Sequence, residues 1–405
     1  MSISQLAKSI SESPTLKMNE IAKQMKARGE SVIHLGGGEP NSKVPMDAIL
    51  AASAKLNSAE IRYTPVDGTL DLKKAIIRYT EENYNKTVAP ENIIVSNGAK
   101  QALSILLQTI INPQDEVICL APYWVSYPEM IKIAYGTPVI VKPEDGSFHP
   151  RMQDIEQAAG SYTKAIIVNS PGNPSGVMYS KEFIAQIVAF CEKKGIYLIF
   201  DDIYHKLIFD GLKPVSCYNY AKDQSEKSKL IVINGVSKVY AMTGFRIGWT
   251  IANKQVVSAM TNLQSQTTSC PSALLQAAAV GALNGIQSCV ENLRLKLENN
   301  RDVMIRELQA FKGVKVTKPD GTFYCFPDFS AYMKDSGKLA NLLLEKVKVV
   351  TVLGKEFGMD GHLRLSFCGS IKDIKEGIAR IKWALDPNAP NEIFIGDRKL
   401  VRDWK

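Results

Sequence analysis

The stretch at residues 230–249, LIVINGVSKVYAMTGFRIGW, holds a lysine in a setting that favours nucleophilic chemistry. Its apolar start, residues 230–233, reads as a strand buried on both faces and ending at Asn234-Gly235. Lys238 follows at the edge of the sheet, where a mostly parallel α/β fold keeps its ligand crevice, and Arg246 lies eight residues further on, between Gly244 and Gly248. A desolvated amine near other cations loses its proton readily, and a neutral amine forms a Schiff base with an aldehyde. Taken alone, Lys238 reads as a solvated loop lysine. The nucleophilic reading requires the rest of the chain to build a cofactor site around it.

Several other stretches bring suitable residues to strand ends. Residues 4–28 carry Leu6, Ile10, Leu16, Ile21 and Met25 around a Ser-Pro step, which predicts short helical pieces or an arm that packs on a partner subunit. VIHLGGGEP at 32–40 is a short strand running into three glycines, so Gly38 is either a ligand contact or part of a simple turn. Helices are predicted at 46–58 and 69–84, and the turn-rich loop between them exposes Tyr63. In ENIIVSNGAKQAL a strand at 93–96 meets a helix from Ala99 through Asn97-Gly98, offering free N–H groups and a positive helix end to an anion. The G-x-x-x-x-G-K-[ST] pattern is absent, so a plain βα turn is the other reading.

The alternation continues with strands at 117–122, 137–143, 164–171 and 196–204 and a helix at 180–194. It predicts a mostly parallel sheet covered by helices on both faces, with one shared site beyond the strands' carboxyl ends. An amphipathic helix over 285–311 leads to a smaller second domain holding 314–329, a helix at 337–348, the segment 349–358, a strand at 362–368 and a closing helix at 371–385. The tail from 386 to 405 is proline-rich and then basic, and no role is assigned to it.

Composition narrows the classes. A chain of 405 residues exceeds the ~250–300 at which single cores stop growing, so two domains of one folding unit are expected. Hydrophobic content of 45% and charged content of 22% suit a globular protein, and no apolar run approaches the ~20 residues that span a bilayer, so no membrane is expected. The N-terminus lacks the apolar core of a signal peptide, which predicts a cytoplasmic protein. Seven scattered cysteines without C-x-x-C predict reduced, mostly buried thiols, and the four histidines form no metal pattern. The net charge of +8 comes from basic residues interleaved with acids, which reads as a solvated surface and not a nucleic-acid face.

Asn173 in SPGNPSG, Asp201 and Tyr204 in DDIY, Lys238 in NGVSK and Arg246 in GFRIG form an ordered series. With NGAKQAL, APYWVSYPEM and SKVYAMTGFRIGW, the chain from about residue 20 to 385 resembles the class I aminotransferases, fold-type-I enzymes that use pyridoxal 5'-phosphate (PLP), and among them the bacterial aspartate aminotransferase branch. The resemblance implies an α/β fold. It would have a large PLP-binding domain at 46–290 with a mostly parallel seven-stranded sheet flanked by helices, and a smaller α+β domain at 291–385. Residues 1–45 would supply an arm and part of the small domain, with 386–405 as a tail.

The resemblance also implies roles. Lys238 would hold PLP covalently and then act as base and acid for the proton shift between the substrate Cα and the cofactor. Asp201 would pair with the pyridine N–H, Tyr204 and Asn173 with the phenolic oxygen, and Trp124 would stack on the ring. Arg246, Ser237 and the main chain of Gly98, Ala99 and Lys100 would bind the phosphate, and Tyr63 would reach the phosphate of the neighbouring subunit in a homodimer. Arg364 in RLSF would take the substrate α-carboxylate with Gly38 beside it, Trp124 and Asn173 also touching substrate, and Lys100 is a candidate for a distal carboxylate. On residue type alone, Asp201 also reads as a cap or surface acid, Asn173 as a turn residue, Tyr204 and Trp124 as packed aromatics and Arg364 as a strand-surface arginine. A carboxylate straight after YLIF is nonetheless expensive to desolvate without a cation partner.

Three positions depart from the family pattern. Gly235 stands where many relatives carry a phosphate-binding serine, Asp202 where glutamate is usual, and Asn41-Ser42-Lys43 where many read Asp-Phe-x-Thr, placing Lys43 as an extra cation beside the substrate pocket. The function expected is amino transfer from L-aspartate to 2-oxoglutarate by a ping-pong mechanism. Transfer from aromatic or neutral amino acids or to prephenate, and C–S β-elimination on the same fold, are the alternatives. The PLP-sensing half of a transcription regulator is disfavoured, because ~45 residues ahead of the cofactor domain are too few for a DNA-reading helical unit and linker.

Overall fold

Short runs of β-branched and aliphatic residues make the strands of the central sheet, and most of their side chains are buried on both faces, as parallel strands under helices require. The computed structural model describes residues 3–12, 14–144, 146–222, 226–395 and 398–402. The expectations that touch Ser13, the side chain of Leu16 and the last residues of the tail, 403–405, lie outside the described residues. In chain order the strands are β1 (Ile33–His34), β2 (Ile93–Ser96), β3 (Glu116–Leu120), β4 (Thr137–Val141), β5 (Thr163–Asn169), β6 (Tyr197–Asp201), β7 (Leu230–Gly235) and β8 (Gly248–Ile251). They continue with β9 (Tyr324–Cys325), β10 (Val349–Val350), β11 (Val352–Leu353), β12 (Leu363–Ser366), β13 (Glu392–Ile395) and β14 (Arg398–Val401).

Seven strands form one sheet in the order β2-β8-β7-β6-β5-β3-β4. The pairs β3–β4, β3–β5, β5–β6 and β6–β7 are parallel, while β8 is antiparallel to both β7 and β2. Because β2 and β7 both oppose β8, they run the same way, and β2, β3, β5, β6 and β7 all present their carboxyl ends at one edge. A second group of strands is small. β11, β12 and β9 make a three-stranded antiparallel sheet, and β1 pairs in parallel with β10, tying the N-terminal segment to the C-terminal part of the chain.

Helices cover both faces of the large sheet. One apolar cluster packs Leu103, Leu106, Ile131 and Met260 against Ile167 and Ile233, and another packs Ile184 and Ile187 against Ile166 and Phe200. The largest cluster joins Val95 and Trp249 to Leu297 and Met304 of the helix Ser288–Gln309, and to Leu343 and Leu365 of the smaller layer, so the two sheets share a continuous core. Capping follows the sequence: Thr69 Oγ1 accepts from Leu72 N at the start of the helix Leu70–Tyr84, and Ser180 Oγ accepts from Phe183 N at the start of Lys181–Lys194.

The predicted elements are present within a few residues, and of the features not anticipated three have a clear cause or consequence. β8 is one, hidden because GWTI is only four residues long and follows directly on the arginine motif. The helices Lys254–Thr267 and Ala273–Asn284 are another; the second is rich in alanine and apolar around most of its surface, so it lacks the periodic contrast that marks an amphipathic helix. The third is the β13–β14 hairpin within the tail. Among the described residues, no single helix is long and apolar enough to cross a membrane.

A Cβ added at Gly248 would overlap the backbone of Gly98 and Ala99, so β8 and the turn after β2 are in direct backbone contact. Gly248→Ala should therefore lower stability by about 1–3 kcal/mol in urea unfolding. Gly160→Ala, where an added Cβ meets nothing within 4 Å, should change it by less than about 0.5 kcal/mol.

Candidate active site

The common strand edge opens into a cavity of about 510 Å³ whose walls come from the segments that follow β2, β3 and β7, from the ends of β5 and β6 and the residues after them, from the N-terminal segment and from the smaller layer. Asp201 is the last residue of β6 and is 4% exposed. Its Oδ2 accepts a 2.6 Å hydrogen bond from the Tyr127 hydroxyl, whereas its Oδ1 is buried and has no partner. Burial pushes the carboxyl up to about 6, against the opposing effects of the Tyr127 hydrogen bond, the Ile203 N–H and the Lys238 charge.

Lys238 lies in the turn that follows β7, and its Nζ donates to the Gly38 carbonyl at 2.7 Å. Burial lowers its pKa to about 8; Glu39 opposes the shift, and the guanidinium groups of Arg364 and Arg246 add to it. A substantial neutral fraction at mildly alkaline pH is the property a nucleophilic amine needs. The amine and the bare carboxyl oxygen line the same cavity.

The turn after β2 forms an anion cradle. Gly98 takes φ 85°, a conformation open to glycine, and ends against the Arg246 guanidinium, which a Cβ there would overlap. Gly98 is the N-cap of the helix Ala99–Ile110 and contributes no side-chain cap, so the first N–H groups of the helix remain available beside Arg246. Arg246 itself is held by its Nη1 donating to the Thr243 carbonyl at 2.9 Å. Ser237 and Thr243 also line this part of the cavity.

The position of Gly235 explains the missing serine. A Cβ at Gly235 would come within 2.8 Å of the Ile247 carbonyl and 3.0 Å of Gly248 Cα, so the tight pairing of β7 with β8 leaves no room for a side chain.

Arg364 sits on β12, is 2% exposed and reaches the cavity from the smaller layer. Its Nη1 donates to Asn173 Oδ1 at 3.1 Å and its Nη2 to the Gly36 carbonyl at 3.0 Å, and its Nε is buried without a partner. Tyr324 lies under the guanidinium, 4.3 Å from ring centre to Cζ. Asn173 is fixed by its N–H donating to Asn169 Oδ1 at 2.9 Å, and Asn169 in turn donates to the Asp201 carbonyl at 2.8 Å. Tyr204 packs 6.1 Å from Tyr324, centroid to centroid.

Trp124 stands edge-on to Tyr127 at 5.4 Å, and Lys100 Nζ lies 5.0 Å from the Trp124 ring centre. Burial and the nearby Arg246 lower the Lys100 pKa. Gly38, Ala99, Lys100 and Trp124 line the cavity as expected, as do Asn173, Asp201, Tyr204, Ser237, Lys238, Arg246 and Arg364, and Gly98 abuts it through Arg246.

Tyr63, expected to serve a neighbouring subunit, is 91% exposed on a separate depression with Arg62 and Lys55, whereas Lys43 is exposed and absent from the cavity walls. The chain turns at Asn41, whose carbonyl is held by Lys296 Nζ at 2.7 Å, and the extra cation expected beside the pocket is not delivered.

Residue reasoning also missed Tyr127, Tyr324, Glu39 and Asn19, all of which line the cavity. Tyr127 lies within the quoted APYWVSYPEM motif, three residues after Trp124; that spacing at a helix start could have placed both on one face. Tyr324 and Asn19 carried no local signal.

A bare buried carboxyl oxygen, an amine whose pKa burial lowers and an anion cradle together suit a flat heterocycle with a ring N–H, an aldehyde and a phosphate, which describes PLP. Asp201, Lys238, and Arg246 with the Gly98–Lys100 turn would hold those three groups respectively.

Comparison with known proteins gives concordant matches. Residues 30–381 match the family model described as aminotransferase class I and II. An aspartate aminotransferase of Bacillus subtilis strain 168 is 38% identical, covering 94% of this chain and 98% of its own. An aspartate/prephenate aminotransferase of Nitrosomonas europaea is 36% identical, covering 94% and 99%. The solved aspartate aminotransferase of Thermus thermophilus with maleate superposes with a TM-score of 0.90 at 34% identity, covering 95% of this chain and all of that one.

Protonation of Asp201 in the folded state carries a stability consequence. Its pKa is raised from 3.8 to about 6, so its stabilising contribution is present below the unfolded value and is lost as pH rises through about 6. In cofactor-free protein at pH 7.5, Asp201→Asn should therefore increase stability by up to about 3 kcal/mol, with the gain shrinking as pH falls below about 6 and vanishing below about pH 4. Denaturant titrations across pH measure it.

Proposed function

Because the chain belongs to the class I and II aminotransferases, we propose that it moves an amino group from L-aspartate to 2-oxoglutarate by a ping-pong mechanism, with PLP as cofactor. The observation that carries the reading is the pairing, in one cavity, of the bare Asp201 Oδ1 with the Lys238 amine. Bound PLP supplies an aldehyde that accepts an amine and a ring that withdraws electrons from the reacting carbon.

The protein's own residues do the rest. Asp201, ionised once it faces a cation, would hold the ring N–H at Oδ1 while Tyr127 restrains its other oxygen. Lys238 Nζ, once released, would take the proton from the substrate Cα and return it on the cofactor side; its lowered pKa fits a group that must both accept and donate. Arg364 would grip the α-carboxylate using its unpartnered Nε, held in place by Asn173 and Gly36. Asn173 and Tyr204 would serve the phenolic oxygen and Trp124 the ring face.

Lys100 supports aspartate as donor. Its ammonium lies over Trp124 at the cavity and makes no ion pair among the described residues, which leaves it available to a distal carboxylate. Relatives named for aspartate and for aspartate and prephenate agree with an acidic substrate. A homodimer is part of the reading. Tyr63, Met46, Leu50 and Leu56 expose large side chains on and just after the helix Met46–Asn57, and Ile286 is tied to Asp47 by a 2.9 Å hydrogen bond. This is a patch suited to a second copy, to which Tyr63 would reach.

Addition of L-aspartate without oxo acid to PLP-loaded protein should convert the visible cofactor band to that of pyridoxamine phosphate. Lys238→Ala should slow this half-reaction by about 10²–10⁴-fold or more. Lys100→Met should cut kcat/KM for aspartate by roughly tenfold or more, the loss of a hydrogen bond to a charged group, while sparing L-alanine. A band unchanged by aspartate but converted by aromatic or neutral amino acids would move the donor assignment to them. Release of ammonia and pyruvate in place of transfer would point to β-elimination.

A further inference from the structure

Asp202 follows Asp201 directly, yet its side chain enters a closed polar cluster, none of whose members lines the cavity. The Tyr84 hydroxyl donates to Asp202 Oδ2 at 2.7 Å, and Asn234 Nδ2 donates to the Tyr84 oxygen at 2.8 Å. His205 Nδ1 is 2.9 Å from the Asp202 carbonyl, and its Nε2 is 2.7 Å from the Tyr79 hydroxyl. Asn234 Oδ1 accepts from the Gly235 N–H at 2.7 Å. Asp202, His205, Asn234, Tyr79 and Tyr84 are all buried.

Burial disfavours charge on both titratable members of the cluster, Asp202 and His205. Burial holds Asp202 far above the usual carboxylate range, with the Tyr84 hydrogen bond opposing and the Asp201 charge adding. Burial and then the Lys206 charge push His205 down to about 3. A neutral His205 with one N–H satisfies both contacts at once, Nδ1–H donating to the Asp202 carbonyl and Nε2 accepting from Tyr79.

Stability alone does not call for such a cluster, since well-packed apolar side chains of the same volume serve it at least as well. What hydrogen bonds add is direction. Here they clamp the Asp202 carboxyl and carbonyl, the turn that carries Tyr204, and the end of β7 three residues before Lys238, all to the helix Leu70–Tyr84. The shorter aspartate at 202, where glutamate is usual in the family, is met by a tyrosine that reaches to it.

We propose that Tyr79, Tyr84, His205 and Asn234 are positioning residues that act through Asp202 to fix the direction of the free Asp201 oxygen, and with it the tilt of a bound cofactor ring. This rests on the PLP reading above.

The test compares wild type with Tyr84→Phe, Asp202→Leu and Asp202→Asn. PLP affinity is titrated on cofactor-free protein, visible circular dichroism is read per bound cofactor, and thermal unfolding of the cofactor-free forms is followed in parallel. Tyr84→Phe and Asp202→Leu should weaken PLP binding about tenfold, or ~1.4 kcal/mol, and change the dichroism of the cofactor that does bind. Asp202→Asn, a neutral group of the same shape, should recover most of what Asp202→Leu loses. If Tyr84→Phe fails to fold, Tyr79→Phe, which cuts the other end of the cluster, should show the same direction of change. Unchanged affinity and dichroism in the folded tyrosine variants, whatever their melting temperature, would overturn the proposal, as would Asp202→Asn behaving like Asp202→Leu. Wild-type protein that takes up no PLP would instead overturn the cofactor reading itself.

Discussion

Asp201 is held at one oxygen by Tyr127 and left bare at the other, in a cavity where burial alone favours its protonated form. A group in that condition is unfavourable until a cation arrives, and the surrounding residues are arranged to keep it so. β6 ends on it, Asn169 holds its carbonyl from β5, and the turn beyond it is clamped by His205 and Asp202. A stored electrostatic demand of this kind is how a protein makes one site selective for a cationic ring, at a cost to the cofactor-free fold.

The remaining pieces depend on how closely backbones approach one another around that carboxyl. Glycines at 235 and 248 let β7 and β8 press together, and Gly248 lets β8 press on the turn after β2. The contact brings Arg246, which follows β7 in the chain, against Gly98, which follows β2, and so assembles an anion cradle from segments far apart in sequence. A serine side chain at 235 is incompatible with this pairing, so Ser237 and Thr243 are the hydroxyls left on that wall. Arg364 arrives from the other layer through a core continuous with the large sheet, so its place in the cavity depends on the packing between layers.

Much of the central sheet was legible because each strand is an apolar run bounded by turn residues, and because polar residues follow the carboxyl ends in a recurring way. Lys238, Asp201, Asn173 and Arg364 could be named for that reason together with the family likeness. What could not be read has physical causes. β8 is too short and the alanine-rich helix Ala273–Asn284 too uniformly apolar to leave a period. Tyr324 and Asn19 reach the cavity through tertiary packing alone, and Lys43 misses it because the chain turns at Asn41, whose carbonyl is anchored by Lys296. Asp202, where the family pattern has glutamate, belongs to a five-residue network assembled from segments far apart in sequence.

The central claim is that this cavity holds PLP through one particular amine. Borohydride reduction of PLP-loaded protein, followed by peptide mass spectrometry, fixes the cofactor to whichever lysine carries it. The expected result is a single phosphopyridoxyl modification, on Lys238. A modification on another lysine with Lys238 unmodified, or no modification in protein that has demonstrably taken up PLP, would contradict it.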